Sequence, residues 1–148
     1  MEKEIFVKVP YHFPGITVLV PMESEIVAID GGSILPNNIQ DKTENFTLIR
    51  QIANIVLLTR EDYENGRIEN PVKTFSPPIE FRVGYNFYDL MESNCNINDL
   101  KLAYWNGKEW IIISDPQYDY RILPPSTGQV AEVKIWSWVG DPMLAWGK

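Results

Sequence analysis

The chain has 148 residues, 45% of them apolar and 22% charged, which suits one folded domain over 1–148 that needs no disulfide or metal to hold its core. Its 13 basic and 20 acidic residues give a net charge of −7, and no Lys/Arg cluster interrupts that balance, so neither nucleic acid nor an anionic membrane is an expected partner. A single cysteine, Cys95, excludes an internal disulfide, and no window approaches the roughly 18 apolar residues of a membrane span.

The N-terminal residues MEKEIFVKVPYHF contain no basic stretch followed by a long apolar run, so no secretion signal is expected. The compartment stays open between cytoplasm and a trimmed exported protein. Ile5 to Val9 alternates as a strand until Pro10, and Ile16 to Val20 is a β-branched run between Pro14-Gly15 and Pro21. Ile26 to Ile29 is a third short strand, closed by an Asp30-Gly31-Gly32 turn, and 34–38 reads as loop. Residues 46–60, FTLIRQIANIVLLTR, match both a helical stripe and a buried strand. Strand is favoured, because no N-cap with a paired Glu or Gln precedes the segment. EDYENGRIENP then reads as a loop with an Asn65-Gly66 turn.

After Pro77-Pro78, Ile79, Phe81, Val83 and Tyr85 alternate with Glu80, Arg82 and Gly84, the pattern of a half-buried strand. YDLMESNCNINDL is a polar connection with room for one helical turn. KLAYWNGKEWIII, residues 101–113, is a hairpin, since Asn106-Gly107 supplies the positive φ values of a tight turn. A two-residue turn places Trp105 opposite Lys108 and puts Trp105 and Trp110 diagonally on one face. A three-residue bulged turn slips the register and separates them. In either register both faces are apolar, which implies a central hairpin or one covered by a loop or partner. A short strand around Tyr120–Ile122, an alternating strand from Gln129 to Trp138 with Val130, Val133, Ile135 and Ser137 as its alternating set, and a last strand in GDPMLAWGK complete the chain. Eight to ten short strands at such spacing predict an all-β, antiparallel β-sandwich.

The segments FSPPIEFRVGY, LKLAYWNGKEWIII and AEVKIWSWVGDPMLAWG, with ITVLVP near the N-terminus, resemble the ZU-type β-sandwich domain of ankyrins, netrin receptors and bacterial surface proteins. The resemblance spans about residues 14–146 and is a packing signature, so it speaks to fold more than to function. It implies a scaffold or assembly unit of a bacterium or its mobile elements. Some members of that family cut themselves at His-Phe-Ser. Here the matching strand reads Trp136-Ser137-Trp138, and the one His-Phe pair, His12-Phe13, is followed by Pro14, so no self-cleavage is expected.

The residues carry little catalytic chemistry. His12 is the only histidine, no Gly-x-Ser-x-Gly elbow occurs, and Cys95 has no neighbouring base in sequence. No Cys or His pair offers a zinc site. Asp115, Asp119 and the Asp30-Gly31 turn are acidic turn residues of the kind that cap or solvate more often than they bind calcium. Gly31-Gly32-Ser33 lacks phosphate-loop spacing. Asn45-Phe46-Thr47 fits a glycosylation sequon, which carries weight only in an exported chain. No enzyme activity, cofactor or metal is therefore expected. The candidate binding surface is aromatic: Trp105, Trp110, Trp136, Trp138 and Trp146. Trp136 and Trp138 alternate with Ser137 and so share one face, though most of the five are expected to fill the core. A protein partner or self-association is the first functional expectation, a glycan held on exposed indoles the second, and a hydrolase a distant third.

Overall fold

The computed structural model describes residues 2–7, 15–31, 39–114, 119–122, 130–138, 140 and 142–148, with backbone alone for Phe6 and 119–122. His12, the expected loop at 34–38, Gly32-Ser33 and Asp115 lie outside the described residues, as does the side chain of Asp119.

Among the described residues ten strands form an all-β, antiparallel sandwich. They are β1 (Glu2–Val7), β2 (Ile16–Pro21), β3 (Ile26–Asp30), β4 (Leu48–Thr59), β5 (Thr74–Gly84), β6 (Lys101–Trp105), β7 (Trp110–Ile112), β8 (Asp119–Ile122), β9 (Val130–Ser137) and β10 (Met143–Gly147). One sheet runs β1-β2-β5-β9-β8 and the other β3-β4-β10-β6-β7. The chain crosses between them after β2, β4, β5, β7 and β9. The inward faces build the main core: Val18, Val20, Phe81, Val83, Val133 and Ile135 from the first sheet meet Ile55, Leu57, Leu102 and Leu144 from the second.

Within residues 46–60, Leu48–Thr59 is strand, as expected. Ile55 to Leu58 are all buried, so this stretch has apolar neighbours on both faces rather than one helical stripe. A cap exists, but at the far end. The Thr59 hydroxyl accepts from Asp62 N at 3.1 Å and opens the helix α1 (Arg60–Glu64), which replaces the loop expected there. Its exit is a Schellman closure: Gly66 N donates to Tyr63 O at 3.2 Å and Arg67 N to Asp62 O at 2.8 Å, with Gly66 at φ +67. The β5–β6 connection holds α2 (Phe87–Glu92), capped by Asn86, and a 3-10 turn at Ile97–Asp99.

The hairpin takes neither register weighed for it. Trp105 lies directly opposite Trp110 across a four-residue loop, with Ala103 opposite Ile112. Asn106 causes this: its Oδ1 accepts from both Lys108 N and Glu109 N at 2.8 Å, and its own N–H closes on Glu109 O at 3.1 Å. The expectation of two apolar hairpin faces holds. Leu102, Tyr104 and Ile113 face the main core, while Ala103, Trp105 and Trp110 join Met143 and Ala145 in a second cluster on the outer side of the sheet. A loop of the chain itself covers that side. Thr43 N donates to Phe46 O, Lys42 bridges Thr47, and the tight turn so formed lowers Phe46 to a ring-centroid distance of 4.9 Å from Trp110.

Strand β10, expected only as a last short strand, is a central strand between β4 and β6. It alternates between the two clusters: Leu144 and Trp146 point to the main core, Met143 and Ala145 to the outer one. Gly147 leaves room for Phe46. A methyl there would meet the Phe46 ring and come within 2.5 Å of Thr47 O. Gly147→Ala is therefore expected to lower stability by about 1–3 kcal/mol through overpacking, measured as a reduced urea midpoint with an unchanged slope.

Candidate functional site

The five tryptophans have separate fates. Trp105, Trp110, Trp138 and Trp146 are at most 4% exposed, whereas Trp136 is 49% exposed. Trp136 and Trp138 do not share a face, because β9 ends at Ser137. Trp138 N donates to Lys73 O at 2.9 Å, and the residue turns its indole into the core. The inward residues of β9 are Ala131, Val133 and Ile135, so Val130 belongs to the opposite parity from that expected.

Three buried indoles reach backbone carbonyls. Trp138 Nε1 donates to Ile55 O at 3.0 Å, Trp146 Nε1 to Gly84 O at 2.8 Å and Trp110 Nε1 to Gln40 O at 2.7 Å. Trp105 Nε1 is buried without an acceptor among the described residues. Its ring packs edge-on against Trp110 at 5.3 Å. Trp138 sits edge-on to Phe81 and Tyr104, and Trp146 to Tyr85. These rings are structural, and Trp136 stands apart from them. Its strand position is opposite the irregular part of β5 between Thr74 and Ile79. Nearby, a cleft of 370 Å³ lined by Pro21, Ile26, Phe75, Pro77 and Ile79, with Glu23 and Ser24 at its polar side, opens at the end of the sandwich.

The larger exposed apolar group lies elsewhere and was not singled out in the sequence. Helix α2 buries only Leu90 and exposes Phe87, Tyr88 and Met91 at 49%, 62% and 66%. The helix is fixed rather than loose. Asn86 Oδ1 accepts from Tyr88 N at 2.8 Å, and the Ser93 hydroxyl donates to Asp89 O at 2.6 Å. Arg50 of β4 pairs with Asp89 at 3.3 Å, and Lys148 Nζ donates to Ser93 O. The sequence signal was present in Asn86-Phe87-Tyr88-Asp89-Leu90-Met91: an Asn cap followed by more apolar side chains than one turn can turn inward. A hydrogen bond to the Glu92 carboxylate, reinforced by its charge, lifts the Tyr88 phenol above its ordinary pKa, with smaller contributions from desolvation and Asp89.

The remaining candidates behave as scaffold. Cys95 packs partly against the core and donates to Asn96 O at 3.3 Å. Burial raises its thiol pKa, Lys148 offsets part of that, and Asp99 adds to the rise, so the thiolate is disfavoured. Among the described residues no three His, Cys, Asp or Glu side chains converge as metal ligands, and no helix is long and apolar enough to cross a membrane. Comparisons with protein-family models, curated proteins and solved structures give no match to this chain.

Two sets of measurements check this assignment. Trp138→Phe strands the Ile55 carbonyl and is expected to cost about 1–3 kcal/mol beyond the loss of ring area. Trp105→Phe removes a donor that has no acceptor among the described residues and should cost less, while Trp136→Phe stays within about 0.5 kcal/mol; urea titrations rank the three. Separately, Glu92→Gln removes the charge that holds the Tyr88 proton, so the phenol should titrate closer to its ordinary value in an ultraviolet pH titration.

Proposed function

We propose that the protein is a non-enzymatic structural or protein-interaction module that engages its partner through the surface of α2. One observation carries the reading: Phe87, Tyr88 and Met91 stand exposed together on a helix pinned to the sandwich by Leu90, Asn86 and the Arg50–Asp89 ion pair. Aromatic and methionine side chains on a fixed support are the composition of protein-contact surfaces, because the rings give up large apolar area at low entropic cost and the flexible thioether adapts to the partner's shape. The two-sheet architecture is compatible with a ZU-type domain, and it is shared by sandwich families of many functions. A glycan-binding reading would need neighbouring exposed indoles, and four of the five are in the cores.

Photocrosslinking tests the proposal. A photoreactive residue replaces Tyr88 in cells that express the chain, and a second is placed at Lys134 on the outer face of the other sheet. The expected result is a discrete adduct from position 88, including a dimer of the chain if the partner is a second copy. Added wild-type protein should suppress it, and the folded double variant Phe87→Ser, Met91→Ser should not. Absence of an adduct, adducts insensitive to competition, or the same adducts from position 134 would overturn it. Strong binding on a glycan array that depends on Trp136 would replace it with the sugar reading.

A further inference from the structure

The chain contains two Asn-Gly pairs, Asn65-Gly66 and Asn106-Gly107, both exposed and both with glycine at positive φ. Glycine offers the least shielded backbone nitrogen to the preceding side-chain amide, so both are chemically competent for succinimide formation. The fold treats them oppositely. Asn65 is drawn back along α1: its Nδ2 donates to Glu61 O at 2.8 Å and its N–H to the same oxygen at 3.1 Å. Asn106 is drawn forward over the next peptide, because Oδ1 accepts from Lys108 N and Glu109 N at 2.8 Å each. Two amide donors on one carbonyl oxygen polarise Cγ and stabilise the oxyanion that forms when a nucleophile adds to it. An added Cβ would meet nothing within 4 Å at either Gly66 or Gly107, so water reaches both sites and the difference between them lies in the asparagine side chains.

We infer that Asn106 is a built-in site of spontaneous deamidation and isoaspartate formation, made so by its forward-folded side chain, while the same dipeptide at Asn65 is protected by its helix cap. In the reaction Gly107 N bonds to Asn106 Cγ and loses its proton to solvent. The Cγ–Nδ2 bond breaks, and the nitrogen leaves as ammonia after taking a proton from water. Water then opens the imide at either carbonyl. Cleavage of the new N–Cγ bond gives aspartate; cleavage of the original peptide link gives isoaspartate. The isoaspartate carries the side-chain carbon into the backbone and lengthens the loop between Trp105 and Trp110 by one atom. The modified chain then becomes a substrate for the class of enzyme that methylates isoaspartyl carboxylates.

Purified protein aged in warm, mildly alkaline buffer tests this. Peptide mapping by mass spectrometry follows exchange of ammonia for water at each pair, and an isoaspartyl methyltransferase reports the rearranged product. Conversion at Asn106 is expected to run several-fold faster than at Asn65 in the native protein, and the two rates should converge in urea, where only the shared dipeptide remains. Asn106→Ser should abolish most of the methylation. Equal or faster conversion at Asn65 in the native state would overturn the inference. So would a rate difference that persists in urea, because that difference would come from local sequence and not from the fold.

Discussion

The sandwich depends on indoles that span it and must satisfy a donor on arrival. A buried tryptophan removes about 150–250 Å² from water, worth roughly 4–6 kcal/mol of gross transfer energy at about 25 cal/mol per Å². That gain survives only if the N–H finds an acceptor, since a stranded buried donor gives back about 1–3 kcal/mol. Trp138 and Trp146 find theirs where a strand ladder runs out. Ile55 lies one residue beyond the last β4–β10 pair, and Gly84 is the last residue of β5. Each indole thus fills a backbone position that sheet pairing leaves open, and each links the two sheets. Trp138 follows β9 of one sheet and bonds β4 of the other. Trp146 sits on β10 and bonds β5. The same two rings meet Phe81, Tyr104 and Tyr85 edge-on, so the apolar and polar ties coincide.

The two outer faces solve different problems. On the first sheet, Arg82 lies between Glu80 at 2.9 Å and Glu132 at 3.4 Å, an ion-paired face on adjacent central strands. Arg82 is partly exposed, so these pairs contribute little net stability. On the second sheet the outer face is apolar. The chain covers it with its own Lys42–Thr47 turn, whose Phe46 rests on Trp110 and in the space left by Gly147. A sandwich normally needs one core; this one has a second, smaller cluster because Ala103, Trp105, Met143 and Ala145 occupy the outward parity of central strands.

Much of the architecture was legible because strand signals are local. Alternation in 79–85, the β-branched run at 16–20 and the turn residues between them report period and punctuation without tertiary help. The features that escaped depend on partners distant in sequence. The position of β10 at the centre of a sheet is set by pairing with Ala103 and Ala53. Trp138 follows the parity of Trp136 in sequence, yet Lys73 O ends the strand and sends the indole inward. The hairpin register turned on how many amides Asn106 could cap, which Asn-Gly alone does not specify. The α2 surface escaped for a different reason: the five tryptophans carry the strongest aromatic signal, and Phe87, Tyr88 and Met91 lie in a stretch that reads as a connection.

That surface is where the economy of the rest of the molecule fails. Elsewhere among the described residues the large apolar side chains of the two sheets, Trp136 apart, have a cover: the facing sheet, the Phe46 turn or an indole. On α2 a single residue, Leu90, faces inward, and a helix of six residues has too short a stripe to turn three more side chains toward the core. A connection between β5 and β6 needs only to span from one sheet to the other, and polar residues such as those that follow at Ser93–Asn96 would do so at no hydrophobic cost. The connection instead carries Phe, Tyr and Met at its exposed positions and spends a cap, an ion pair to β4 and a lysine contact on keeping them in place. Exposed apolar side chains on a loose loop can collapse onto whatever is near. On a fixed helix they keep facing outward, and only another surface removes them from water. The capped helix α1 exposes Tyr63 alone, so a fixed helix that carries three exposed apolar side chains together is what sets α2 apart from the other connections described.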